Sequence, residues 1–188
     1  DMAIATLPPL SLYIHTPWCV QKCPYCDFNS HQLKQNLPEE QYIDRLLQDL
    51  EQEMPRVWGR TLSSIFIGGG TPSLLSPHSY ERLLSGIRAL LPFHADMEIT
   101  MEANPGTVEA DKFKGFRQAG INRISIGVQS FDNDQLKKLG RIHDAGEAER
   151  AFKIARDAGF DNINIDLMYA LPGQSVEEAL TDLKTAVD

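Results

Sequence analysis

The chain has 188 residues, 42% hydrophobic and 23% charged, a composition that supports one packed core and excludes disordered, collagenous and coiled-coil classes. Eighteen Lys and Arg against 26 Asp and Glu leave a net charge of −8, which argues against sequence-independent binding to nucleic acid. No apolar run approaches the ~20 residues of a membrane span, and the opening DMAIATLPPL lacks a basic region followed by an apolar one, so a soluble, cytoplasmic protein with no membrane span is expected.

In chain order, strands are predicted over 11–16, 64–68, 97–103, 122–130 and 162–168. Helices are predicted over 38–54, 77–91 and 109–119, as a pair within 132–158, and over 175–186. Ser76 with Pro77 opens a helix, Gly120 and Gly159 close helices, and Ser175 with Glu178 forms a capping box. Strands alternating with helices predict an α/β fold with a parallel sheet, either a barrel or doubly wound.

Alternation along the strands separates two faces. One carries Leu12, Ile14, Ile65, Ile67, Ile99, Met101, Ile124, Ile126, Val128, Ile163, Ile165 and Leu167. The other carries Ser11, Tyr13, His15, Thr100, Glu102, Ser125, Gly127, Gln129, Asn162, Asn164 and Asp166. Buried parallel strands read apolar on both faces, and a closed eight-stranded barrel fills its lumen with bulky aliphatics. A polar second face points instead to a wide or incomplete barrel whose interior holds water, a cofactor and a substrate. Tyr13, Glu102, Gln129 and Asp166, towards the C-terminal ends of their strands, then converge at the mouth where βα barrels place their chemistry. The plainer alternative is a structural network in which these groups satisfy one another.

All three cysteines, Cys19, Cys23 and Cys26, fall within eight residues directly after the first strand. An odd count and such short loops argue against disulfides. Three thiolates at Cys-x3-Cys-x2-Cys spacing can hold three irons of a cubane and leave the fourth open to a small molecule; bacterial ferredoxin spacing differs and adds a fourth cysteine. Structural zinc, with His15, His31 or Asp27 as fourth ligand, and uncoordinated thiols are the alternatives.

With Tyr25 before the last cysteine, the motif resembles the radical S-adenosylmethionine (SAM) signature, and GGGTP at 68–72 resembles the glycine-rich motif by which that superfamily holds the methionine amino group. The set YIHTPWCVQKCPYCDF, FIGGGTPSLL, EANPG, RISIGVQSF, LGRIH and DLMYALPGQ is similar to the oxygen-independent coproporphyrinogen III oxidase family, and most closely to its HemW-like branch of heme chaperones. The resemblance implies a partial (β/α)6 radical SAM barrel of which about five βα units are present. Residues 1–188 are its core, with the rest of the barrel, a C-terminal domain and the heme-binding segment lying beyond Asp188.

The resemblance further implies that Cys19, Cys23 and Cys26 ligate a 4Fe-4S cluster whose open iron is chelated by the amino and carboxylate groups of SAM. Gly69, Gly70 and Thr71 would hold the methionine end, Glu102 and Gln129 the polar groups of nucleoside or methionine, and Arg141 the carboxylate. Asp166 would meet the ribose hydroxyls or an adjacent group, while Tyr13 and Tyr25 pack about the cluster and adenine. Heme as cargo, a heme-accepting apoprotein and an electron donor to the cluster are the implied partners. Plainer readings are a core aromatic for Tyr13, a complement to a helix dipole for Arg141 and a structural hydrogen bond for His15. Trp18 is read as a shield of the cluster, and His31, His78, His94 and His143 as surface or capping residues. Two departures stand out. Oxidases carry a further cysteine where this chain has Phe28, which favours the chaperone branch over coproporphyrinogen decarboxylation; Ala170 replaces a usual glycine before Leu-Pro.

Overall fold

The structure, a computed structural model, describes residues 7–18, 38–128 and 134–167, with the backbone alone at 128, 134–145 and 167. Strands β1 (Leu10–Thr16), β2 (Leu62–Gly69), β3 (Phe93–Ala103), β4 (Arg123–Val128) and β5 (Asn162–Leu167) form one sheet in that order, every neighbouring pair parallel. They are connected through α1 (Glu39–Val57), α2 (Pro77–Leu90), α3 (Ala110–Ala119) and α4 (Asp134–Asp157). A doubly wound sheet reverses its strand order at a switch point. Unbroken sequential order is that of a βα barrel, here a partial one.

Local chemistry sets most boundaries where the sequence predicts them. The Ser76 hydroxyl accepts from the Ser79 N–H at 3.2 Å ahead of Pro77, and Gly120 ends α3 at φ +119°. Helix α1 runs past the expected end at residue 54, through Pro55 to Val57. Met54 and Val57 extend the Ile43, Leu46, Leu47 and Leu50 stripe packed on the core, and that burial outweighs the proline. The pair of helices expected within 132–158 is one continuous helix, α4. Gly140 and Gly146 each weaken a helix by only about 1 kcal/mol, while Ala148, Ala151 and Ala155 are fully buried along its inner stripe. β3 starts at Phe93 rather than 97 because Phe93 pairs with Leu62. The helix predicted over 175–186, with its capping box, lies outside the described residues.

The predicted apolar face is the core. Ile14, Ile65, Ile67, Ile99, Met101, Ile124 and Ile126 are at most 4% exposed beneath the helices. Tyr80, Phe116, Phe113 and Phe160 form, in that order, an edge-on series with successive centroids 5.4, 5.4 and 6.3 Å apart that joins α2 and α3 to the turn before β5. Among the described residues no helix is long and apolar enough to cross a membrane.

Candidate functional site

The sheet face turned away from the helices carries side chains in register rows. Tyr13 lies beside Phe66 and Phe66 beside Thr100, His15 lies beside Gly68, Glu102 beside Ser125, Ser125 beside Asn164, and Gly127 beside Asp166. The Tyr13 and Phe66 rings stack at 15° with centroids 6.1 Å apart, and both are exposed, at 57% and 37%. The Tyr13 hydroxyl hydrogen-bonds His15 Nδ1 at 3.2 Å. Phe66 is the site residue that sequence reasoning missed, because SIFIGGG reads as one apolar run. Its shared parity with Ser64 and Gly68 is the signal that places it on this face.

At the end of β2 the backbone itself occupies the space. A Cβ on Gly68 would lie 2.9 Å from Glu102 Oε2, 3.0 Å from the Phe66 ring and 3.2 Å from the Tyr13 hydroxyl, so three side chains converge where glycine leaves room. Gly69 adopts φ +103°, and a Cβ there would meet the Thr16 carbonyl at 2.6 Å. The Gly70 N–H donates to the Thr16 carbonyl at 2.7 Å, the Thr71 N–H to the Trp18 carbonyl at 2.5 Å, and the Thr16 hydroxyl to the Gly68 carbonyl at 2.9 Å. These bonds carry the β1–β2 pairing past the strand ends and fasten the residues just before Cys19 to the glycine-rich loop. Trp18 packs edge-on against Tyr42 at 4.7 Å, and the Tyr42 hydroxyl donates to the His15 carbonyl. Burial, aided by Tyr13, pushes the Tyr42 phenol above its usual pKa.

On β4 and β5 the Ser125 hydroxyl donates to Asp166 Oδ2 at 2.6 Å, and Asn164 Nδ2 donates to Asp166 Oδ1 at 2.9 Å. Asn164 Oδ1 is enclosed and has no hydrogen-bond partner among the described residues. Glu102 accepts from the Gly69 N–H, yet burial, the largest cause, holds its carboxyl above the ordinary 4.5; the Gly69 bond opposes this and the Asp166 charge adds to it. A carboxyl whose folded pKa is raised favours folding while protonated and loses that advantage as pH rises from 4.5 through the folded value. Glu102→Gln is therefore expected to raise the thermal midpoint of the SAM-free protein at neutral pH. The gain should be modest, because the group is half exposed, and should shrink towards zero below 4.5 in melts across pH.

Of the residues singled out from sequence, Tyr13, Gly69, Gly70, Thr71, Glu102 and Asp166 gather at the C-terminal ends of the strands. Cys19, Cys23, Cys26, Tyr25 and Gln129 lie outside the described residues, and at Arg141 on α4 the backbone alone is described. Among the described residues no group of three His, Cys, Asp or Glu is arranged to hold a metal ion, so a metal centre would have to draw on other residues.

Residues 13–186 match the family described as the Radical SAM superfamily. The chain is 61% identical over 182 residues to the heme chaperone HemW of Escherichia coli K12, covering 97% of this chain and 48% of that protein. It is 57% identical over 186 residues to the heme chaperone HemW of Haemophilus influenzae, covering 97% of this chain and 49% of that protein. Among solved structures, coproporphyrinogen III oxidase (HemN) from Escherichia coli, a radical SAM enzyme, aligns with a TM-score of 0.69 at 37% identity, covering 94% of this chain and 41% of that one. The chain thus spans about half the length of the curated relatives it matches.

Proposed function

The chain belongs to the radical SAM superfamily, which implies an iron–sulfur cluster and SAM, and from that premise we propose that the protein is a cytoplasmic heme chaperone. It binds heme and passes it to an acceptor apoprotein, on a core that holds a 4Fe-4S cluster and SAM and takes electrons from a separate donor. The observation that carries this reading is the 61% identity to a heme chaperone over 97% of the chain. We place the heme-contacting residues beyond Asp188.

The described residues fit SAM. Asn164 Oδ1 is enclosed and has no partner among the described residues, the Gly68 backbone leaves a cradle that a Cβ would fill, and Glu102 stands beside an exposed aromatic pair, with Asp166 near enough to act on its charge. A nucleoside that also bears an ammonium and a sulfonium has matching hydroxyl donors, positive charge and a flat ring. In this reading Cys19, Cys23 and Cys26 are the cluster's protein ligands, and SAM completes the coordination of the fourth iron. When bound, the cluster supplies an electron to the sulfonium. The chain's residues bind and orient. Gly69, Gly70 and Thr71 hold the methionine end and Arg141 its carboxylate; Glu102 and Gln129 meet polar groups of the nucleoside or methionine, and Asp166 the ribose hydroxyls or an adjacent group. Tyr13, stacked on Phe66, and Tyr25 pack about the adenine and the cluster and exclude water.

The likeness to coproporphyrinogen III oxidase favours a second reading, oxidative decarboxylation of coproporphyrinogen III. Phe28 counts against it, since an apolar ring cannot replace the chemistry of the thiol that oxidases carry there. The discriminating experiment supplies the intact, anaerobically reconstituted protein with SAM and a reductant. It should bind heme and transfer it to an apo-acceptor, and leave coproporphyrinogen III unchanged. Mass spectra showing loss of two carboxyl groups per porphyrinogen, with stoichiometric 5′-deoxyadenosine, would replace the chaperone by the enzyme.

A further inference from the structure

Three side chains on the open face of β4 and β5 pass their hydrogen bonds in one direction. Asn164 Nδ2 donates to Asp166 Oδ1 at 2.9 Å and to Ser125 Oγ at 3.3 Å, and the Ser125 hydroxyl donates to Asp166 Oδ2 at 2.6 Å. A primary amide has two hydrogens to give and a hydroxyl one, so every donor of the two side chains is spent and the series ends on Asp166. Each carboxylate oxygen takes one of these bonds, and turning the carboxylate about its own axis breaks both. Ser125, only 2% exposed, stands in register between Glu102 of β3 and Asn164 of β5, whereas Asp166 is exposed towards the barrel mouth. The holder is buried and the held group is open.

This arrangement leaves Asn164 Oδ1 enclosed without a partner, and among the described residues no other buried side-chain nitrogen or oxygen is left so. Turning the amide over would not mend it. The oxygen would then face the Asp166 carboxylate and a Ser125 hydroxyl whose hydrogen already points at Asp166. Lower on the same face the polar groups close on one another: Ser11 on Ser64 at 2.8 Å, Arg123 on Glu98 at 3.0 Å, and Asn162 on the other Glu98 oxygen at 3.5 Å. A network that serves stability alone has no reason to leave a buried acceptor unpaired. One that fixes a carboxylate has.

Resting on the function proposed above, we propose that Asn164 and Ser125 are positioning residues. They hold both oxygens of Asp166 so that it meets SAM in one fixed orientation, and the unpaired Asn164 oxygen is the cost of that orientation. Both act through Asp166. Without them an exposed carboxylate would turn freely in water and lose that freedom anew each time SAM bound.

The test uses the intact, anaerobically reconstituted protein, with SAM titrated against the EPR signal of the reduced cluster and melting followed without SAM. Asn164→Leu, close in size and free of polar side-chain atoms, removes the unpaired oxygen together with the donors. Its melting temperature should equal or exceed that of the parent, because water replaces the lost bond at exposed Asp166. Its affinity for SAM should nonetheless fall ~10-fold, less than or equal to the loss in Asp166→Ala. In the Asp166→Ala background the same substitution should change affinity by no more than about twofold, since the group through which it acts is gone. Ser125→Ala, which frees Asp166 Oδ2, should behave in the same way in both backgrounds and carries the test where the leucine variant does not fold. Asn162→Ala, on the same strand and face, should match the parent. SAM affinity unchanged in both positioning variants, or melting temperature and affinity falling together, would overturn the positioning role while leaving the proposed function intact. So would an equal loss in both backgrounds, which would show Asn164 and Ser125 meeting the ligand themselves. A parent that takes up no iron and no SAM would overturn the proposed function, and the positioning role with it.

Discussion

Cys23→Ala is expected to abolish the cluster. Three thiolates, leaving one iron open, are all that this chain can offer a cubane, because it has three cysteines in all. With two left, anaerobically reconstituted protein should fall from about four irons per chain to near none and lose its brown colour and broad visible absorbance. SAM, deprived of the iron that chelates its amino and carboxylate groups, should no longer register by EPR. Far-UV circular dichroism should be unchanged, since the buried core is built from β1 to β5 and the helices packed on them, and Cys23 belongs to the connection between β1 and α1. Iron, sulfide and zinc analysis of parent and variant decides the matter. A colourless parent holding one zinc per chain would end the cluster reading.

Where burial follows a simple period, the sequence was legible. Leu12 to Leu167 alternate so regularly that the core face and the open face were separable before any coordinates, and the βα rhythm announced a parallel sheet. Strand order itself was not legible in the rhythm, because it is decided by contacts between elements far apart in the chain, although the polar second face pointed to the incomplete barrel that this order shows. Nor was the continuity of α4. The local cost of Gly140 and Gly146 is outweighed by the tertiary burial of Ala148, Ala151 and Ala155. Phe66 was hidden because aromatic exposure in a barrel mouth cannot be told from core burial by hydrophobicity alone.

Glu102→Ala and Asp166→Ala should each weaken SAM binding while leaving cluster iron intact, since neither residue is among the proposed ligands. Each carboxylate offers charge-assisted hydrogen bonds to a ligand that carries donors and positive charge, and losing one such bond at a half-buried site lowers affinity by ~10- to 100-fold. The two losses should not simply add. The two carboxylates are close enough to interact, since the Asp166 charge is one of the causes that raise the Glu102 pKa, and effects at interacting neighbours are not additive in the double variant. Asp166→Ala carries a further cost, because Ser125 and Asn164 both donate to that carboxylate and would be left without it. Asp166→Asn, which keeps an oxygen acceptor, separates charge from network and should retain more affinity than the alanine. Titration of SAM against the EPR signal of the reduced cluster measures all four proteins against the parent. If Glu102→Ala and Asp166→Ala both bind SAM as the parent does, the polar face of the sheet is a structural network in which these groups satisfy one another, and SAM sits elsewhere.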